Sequence, residues 1–491
     1  MYHLVKSGKK IIFVICFATL GLSVYAAPIQ KKQETPNIVI IIGDDIGNGD
    51  FGCYGNQFVK TPNIDRIAKD GMKFTNFYLT TSSCSPSRSS IISGRYPHNT
   101  GAAELHTPLP ANIILFPKLL REAGYFTAAS GKFHMGDNAK KAFDIVHDKG
   151  NEIGEGGENM WLATLKERPK NKPFFLWLAA IDAHRPWQSN NFDGANPPDK
   201  IVPPSYLANT ETTKKDIGRY YDEITRFDHY IGLIEDELKL QGVLDNTIII
   251  IMSDNGAAFP RGKSRVYDSG MKTPFIIKWN TSLIKKRTTN NSLISAIDIA
   301  PTLLELAGVN TSSSFQGKSF TAILKNPSKE FRNYVFSEHN WHDYEALERM
   351  VRTKDFLYVL NLRPSLSNQG PADAASSVAF EDLKALRDSG KLSVAQADVF
   401  IIPRSMEELY NYRTDSMQLV NVASSHLYQK ELARLRKVML QWKNETADTY
   451  PQNLTKDWFN RENGKPLPTP NVRGEMPGGA KAMGLVGSGP F

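Results

Sequence analysis

Along this chain, continuous apolar runs stop again and again at clusters of acidic or basic residues. Asn37 to Ile42 leads into Asp44-Asp45, Tyr125 to Ala129 into Lys132 and His134, Phe174 to Ile181 into Asp182 and His184, and Thr247 to Met252 into Asp254-Asn255. Runs of this kind predict strands buried on both faces, as in a parallel or mixed sheet covered by helices. Active sites collect at the carboxyl ends of such strands. The recurrence therefore predicts that polar residues far apart in sequence meet at one edge of one sheet. Helical patterns fall between the runs, at Pro62 to Gly71, Phe116 to Ala123, Asp216 to Gln241 and Ala296 to Ala307. That alternation is the mark of an α/β domain, here spanning residues 36–326.

After about Asn326 the pattern changes. Short strands are predicted at Tyr334 to Glu338, Met350 to Thr353 and Phe356 to Asn361, with an amphipathic helix at Tyr428 to Asn444. Residues 327–464 thus read as a smaller α+β domain. From Lys465 the chain is rich in Gly and Pro, so residues 465–491 are expected to be either disordered or an extended arm on the surface. There is no internal repeat.

The N-terminus stands apart. Lys6, Lys9 and Lys10 precede an apolar run from Ile11 to about Val24, and Val24-Tyr25-Ala26 fits a small-residue cleavage site. The run is shorter than the ~20 residues of a spanning helix, so residues 1–27 read as a secretory signal peptide, with no stable membrane insertion after cleavage and an uncleaved anchor as the alternative. Removing them takes away three lysines and no acids, and the formal charge falls from +8 to +5. The remaining mild excess suits an anionic substrate and gives no indication of nucleic acid. With Cys16 in the leader, the mature chain keeps Cys53 and Cys84, too few for a disulfide framework. At 41% apolar and 22% charged residues, the composition is that of a globular protein whose stability comes from its core.

Three constellations carry the chemistry, the third being Gly131-Lys132-Phe133-His134 with Asp182-Ala183-His184-Arg185-Pro186. Ser83-Cys84-Ser85-Pro86-Ser87-Arg88, followed by Ser89 to Gly94, reads as the start of a helix, with serines able to cap it and Pro86 in its first turn. Cys84 would then sit where helix N–H groups favour an anion. Asp44-Asp45 and Asp254-Asn255 offer hard oxygen donors without a His or Cys cluster, which suits Ca²⁺ or Mg²⁺ better than zinc.

The C-x-P-S-R string with its downstream Ser93-Gly94 resembles the signature of the type I sulfatases, in which a maturase oxidises the Cys to formylglycine. The resemblance extends from Asn37 to about Trp442. It implies an alkaline-phosphatase-like α/β sandwich with a large mixed, mostly parallel sheet and a smaller C-terminal α+β domain carrying an antiparallel sheet. It makes Asp44, Asp45, Asp254 and Asn255 ligands of one Ca²⁺, into whose site residue 84 projects. Lys132 and Arg88 would hold the formylglycine diol, His134 would take its proton as sulfate leaves, and His184 would be the general acid. Lys263 falls where a sulfate-binding cation is expected, a place held by Arg in the heparan N-sulfatase branch. Ala103-Glu104-Leu105-His106, Ser253 to Gly256 continuing to Phe259-Pro260, and Ala379 to Leu383 nevertheless resemble that branch.

The activity so implied is removal of sulfate from a sulfated oligosaccharide, with N-sulfoglucosamine of heparan type as substrate. Asp182, His106 and Arg349 are candidate sugar contacts, each with a surface or interdomain ion pair as its alternative. Rival readings are an O-sulfatase on another sulfated sugar, a phosphodiesterase or phosphonate hydrolase, and a non-catalytic glycan-binding relative. The expected compartment is the periplasm. Asn310-Thr311-Ser312 and Asn453-Leu454-Thr455 are potential glycosylation sites and keep a lysosomal or extracellular enzyme as the alternative.

Overall fold

The apolar runs become the centre of a single sheet because both of its faces are covered. The computed structural model describes residues 35–187, 189–468 and 472–491, together with Gly8. The expected signal peptide, apart from Gly8, lies outside the described residues. Among these residues an eight-stranded sheet takes the order Ile145–His147, Phe126–Gly131, Phe174–Ala179, Asn37–Gly43, Thr247–Ser253, Phe275–Lys278, Met72–Phe74, Thr288–Asn290. The first five strands are parallel, and Phe275–Lys278 runs antiparallel to both neighbours.

Strand side chains alternate between faces. Ile38, Ile40 and Ile42 enter one core with Ile250 and Met252, beneath helices Phe116–Glu122 and Ile299–Leu306. Val39, Ile41, Ile249 and Ile251 enter the other, beneath Pro62–Asp70, Trp161–Glu167 and the long helix Glu211–Leu240. The register sets Ile42 level with both Ala179 and Met252, so the polar residues that follow emerge at one edge. The long helix begins five residues earlier than the apolar pattern predicts, because Thr210 caps it by accepting the Thr213 N–H at 3.1 Å.

Residues 35–491 form one unit that also holds a second, antiparallel sheet. Its strands are Val335–His339, Glu348–Arg352, Phe356–Asn361 and Glu407–Asn411. Helix Gln429–Thr446 packs on it through Leu432, Leu435, Met439 and Trp442. This pair of sheets is the expected fold class. No helix among the described residues is long and apolar enough to cross a membrane.

Residues 472–491 dock on the part of the chain that carries the large sheet rather than trailing away. Arg95 donates to the Met483 and Leu485 carbonyls at 2.8 and 2.7 Å, Asn99 to Ala482 at 2.8 Å, and Gln316 to Gly487 at 2.7 Å. Buried side chains with free donors thus satisfy a segment that has little regular structure of its own.

Trp442 is fully buried, stacked on Phe336 at 5.2 Å and edge-on to Tyr96 at 5.2 Å. Trp442→Ala is expected to cost about 3–5 kcal/mol of stability. Urea unfolding checks this as a lowered midpoint with unchanged slope.

Candidate active site

Four strand ends bring the candidate residues together. Asp44 follows Asn37–Gly43, its N–H donating to the Asp182 carbonyl at 2.7 Å while its own carbonyl accepts from Ala183 at 2.7 Å. Asp254 follows Thr247–Ser253 and donates its N–H to Gly43 at 3.2 Å; Lys132 follows Phe126–Gly131 and donates to Ala179 at 2.8 Å. Cys84 opens helix Cys84–Ser93, with Ser83 at the N-cap. The serines do not cap as the sequence suggests. The Ser83 hydroxyl instead pairs with His342 Nδ1 at 2.7 Å, tying the helix start to the second sheet's side of the site.

Carboxylate oxygens of Asp44, Asp45 and Asp254 lie within 4.8 Å of one another, and all three residues are sealed from solvent. Arg88 Nε donates to Asp254 Oδ2 at 2.6 Å, Lys132 Nζ is paired with Asp44 Oδ2, and Lys263 Nζ donates to Asp45 Oδ2 at 2.8 Å. Cys84 Sγ sits against this cluster, 3.7 Å from Asp44 Oδ1, 3.8 Å from Lys132 Nζ and 3.2 Å from Asn255 Nδ2.

The charges respond to this crowding. Burial alone would raise Asp44, but Lys132, His184, Arg88 and Lys263 outweigh it and hold the carboxyl well below the usual range. Burial pushes Asp45 and Asp254 up to about 7, against the pull of Lys263 and of Arg88 and with the repulsion of Asp44 added. It also pushes the Cys84 thiol up to about 12, Lys132 and Lys263 opposing. His184 falls to about 4 and His134 to about 2, each through burial and then the nearby cations, so both imidazoles are neutral in the free site.

This donor set fits a hard divalent cation. Three carboxylates converge, the charge of such an ion would relieve their mutual repulsion, and Asn255 Oδ1 beside them is buried without a partner. Asn255 Nδ2 meanwhile donates to Asp45 Oδ1 at 3.0 Å and Asp254 Oδ1 at 2.9 Å.

His134 and His106 meet at 2.6 Å, Nε2 to Nδ1, with His106 at the exposed rim. His184 Nδ1 is bonded to the Arg185 carbonyl, which turns Nε2 toward Asp45 and Asp373, 3.8 and 3.7 Å away. Two expected sugar contacts are not brought to the cleft. Asp182 is buried in a two-point ion pair with Arg226, at 2.7 and 2.5 Å, and its backbone braces Asp44 from behind. Arg349 is 0% exposed and clamps Asp448 at 2.7 and 2.6 Å with Glu338 at 3.6 Å. Both side chains are committed to structural carboxylate pairing, which corrects the sequence expectation.

Several residues at the site escape sequence reasoning. Asp373 reaches it from the short helix Ala372–Ala375, and Trp341 packs with Leu105 against Cys84. Trp458 covers Trp341 at 4.4 Å, and the Arg473 guanidinium lies over both rings. None of these stands in a motif.

Residues 36–156 and 158–309 match the sequence model of the family described as Sulfatase. The chain belongs to the sulfatase family. A further model, described as N-sulphoglucosamine sulphohydrolase, C-terminal, matches residues 261–359. This sulfatase is 30% identical over 471 residues to an ulvan-active sulfatase of Formosa agariphila, spanning 85% of this chain and 76% of that one. It is 26% identical over 464 residues to human N-sulphoglucosamine sulphohydrolase, spanning 85% and 92%. Among solved structures, one in complex with its substrate D-glucosamine-2-N,6-O-disulfate aligns with a TM-score of 0.67 at 22% identity, covering 84% of this chain and 98% of that chain. A phosphonate monoester hydrolase from Silicibacter pomeroyi aligns at 0.64 and 19% identity, covering 83% and 95%. At these identities the structures establish a common fold. The sulfatase is a hydrolase, and its candidate centre is the Cys84 cluster.

Removing Arg349 leaves Asp448 as an unpaired buried charge, while Glu338 keeps His98 and Asn340. Arg349→Met is expected to lose about 3–5 kcal/mol of stability while the KM of the folded fraction stays at the wild-type value. Denaturant titration and steady-state kinetics on the same preparation check both halves.

Proposed function

We propose that this sulfatase removes sulfate from a sulfated glycan, with N-sulfoglucosamine of heparan type as its substrate, residue 84 as formylglycine and one calcium ion. The observation that carries the reading is the place of Cys84, at a helix start and in contact with Asp44, Lys132 and Asn255. The C-terminal match to the N-sulphoglucosamine model and the human relative of that name support the choice of sugar.

Oxidised to formylglycine, residue 84 would supply a hydrated aldehyde, with one hydroxyl as the nucleophile and the other available to release sulfate. Asp44, Asp45, Asp254 and Asn255 would hold the calcium ion, which would supply Lewis acidity to the site. Lys132 holds the oxygens of residue 84 with a charge already beside the Sγ position. Arg88 assists, since its Nη2 is buried and has no hydrogen-bond partner. Lys263 binds the sulfate. Neutral His134, whose Nδ1 is buried and unpartnered, is a proton acceptor poised for the release step. His184 starts neutral as well. An arriving anion offsets the Lys263 and Lys132 charges that suppress it, and the imidazolium so formed protonates the departing nitrogen or oxygen through Nε2.

An O-sulfatase acting on another sugar is the second reading, favoured by the ulvan-active relatives and by Lys263 standing where Arg is usual. Export to the periplasm and a formylglycine-forming maturase complete the proposal.

Matured protein is expected to release sulfate from N-sulfoglucosamine in a panel of N-, 2-O-, 3-O- and 6-O-sulfated saccharides; loss of an O-sulfate alone would move the reading to the second. Cys84→Ala is expected to lower kcat on the order of 10⁴-fold or more, with the wild-type residue 84 peptide reacting as an aldehyde in mass spectrometry. Calcium at 100 times its Kd is expected to raise stability by about 2.7 kcal/mol. Thermal unfolding in calcium against chelator reads that difference without any activity assay, and no shift would remove the metal from the proposal.

A further inference from the structure

Asp373 stands beside the reacting groups with no part in the steps above. Its Oδ2 lies 3.7 Å from His184 Nε2 and 4.0 Å from Lys263 Nζ. Its side chain is 24% exposed, whereas Asp44, Asp45 and Asp254 are sealed. Its other oxygen accepts the Ala374 N–H at 2.7 Å, and Ala372 N–H is held by Asp343 at 3.0 Å, so the carboxylate is fixed from both ends of the helix start. Burial would raise its carboxyl, but Lys263, His184 and Arg185 outweigh it and keep the group ionised. Asp45, His184 and Asp373 lie close enough together for a metal ion. The Lys263 ammonium, 2.8 Å from Asp45, already supplies the positive charge there.

A fixed negative charge next to a sulfate-binding lysine weakens the hold on sulfate, so its use must lie with another part of the substrate. With His184 as the proposed acid its Nε2 would face the departing atom, and Asp373 Oδ2 lies 3.7 Å from that nitrogen. The substituent next to that atom in the sugar ring therefore lies against Asp373. A carboxylate at that point accepts a hydrogen bond from a hydroxyl and repels a second anion. We infer that Asp373 is a specificity-determining residue: it requires a hydrogen-bond donor on the carbon beside the sulfated one and rejects a neighbouring sulfate or carboxylate. This rests on the proposed roles of Lys263 and His184, and it holds for any sugar the site accepts.

The test uses the matured full chain on N-sulfoglucosamine with a free 3-hydroxyl and on its 3-O-sulfated counterpart, following N-sulfate release. The wild type is expected to prefer the free hydroxyl on the order of 100-fold or more in kcat/KM. Asp373→Asn is expected to lower kcat/KM on the free-hydroxyl compound about 10-fold, chiefly through KM, and to narrow the preference about 10-fold, with its melting temperature unchanged. Similar wild-type rates on both compounds overturn the inference, whatever the variants do. Equal losses on both, or a fall in kcat alone with a displaced pH profile, make Asp373 a positioning residue for His184 and also overturn it. Asp373→Ser supplies the same comparison should the amide variant fail to fold. If neither N-sulfate is released and an O-sulfate of another sugar is, the N-sulfoglucosamine reading has failed; the same pairing on that sugar, with and without a neighbouring sulfate, then decides the role of Asp373.

Discussion

Three carboxylates sealed from water at the ends of two adjacent strands cannot stand without compensation, and the rest of the site is arranged around that fact. Asp44, Asp45 and Asp254 draw Lys132, Lys263 and Arg88 from three other segments of the chain. Arg88 and Lys263 are as deeply buried as their partners, so losing either leaves a buried carboxylate short of its charge partner. The same balance orders the cleft. It fixes the start of the Cys84 helix through Arg88, the end of the Phe126–Gly131 strand through Lys132, and the loop after Asn255 through Lys263. Reactive groups from five places in sequence are thereby held by electrostatics, with the sheet supplying only their approximate level.

Behind this layer lies a second one that stiffens it. Asp182 and Ala183 exchange backbone hydrogen bonds with Asp44, while the Asp182 side chain is locked to Arg226 on the long helix. At the neighbouring strand end, Gly131 has φ +99°, and a Cβ there would lie 1.8 Å from the Ala179 carbonyl. Only a residue without a side chain lets this turn close, and the turn is what aims Lys132 at Asp44.

The sheet and the strand-end residues were legible because both-face burial writes itself as unbroken apolar runs, and because those runs end at the same level. The metal-type donors and the Cys84 segment were legible because hard oxygen ligands and C-x-P-S-R are local patterns. Asp182 was misread because its position after a strand looks the same whether its side chain turns into the cleft or back toward Arg226. Arg349 was misread because its partner Asp448 is 99 residues away, beyond any local pattern. Asp373 was invisible for a related reason: it sits in an alanine-rich stretch, and only the packing of the second half of the chain carries it to His184. The docked tail likewise depends on donors from Arg95 and Asn99, which announce nothing in a Gly- and Pro-rich sequence.

That tail also bears on access to the Cys84 helix. Arg95 and Asn99 follow the Cys84 helix directly, yet their acceptors lie far along the chain, 388 and 390 positions later for Arg95. These donors are satisfied only when residues 482–487 are in place, so the ground behind the Cys84 helix closes through contacts very distant in sequence. Once locked, the Cys84 side chain is 2% exposed. In the closed fold, then, a large reagent reaches that side chain only through local opening of the ground around it.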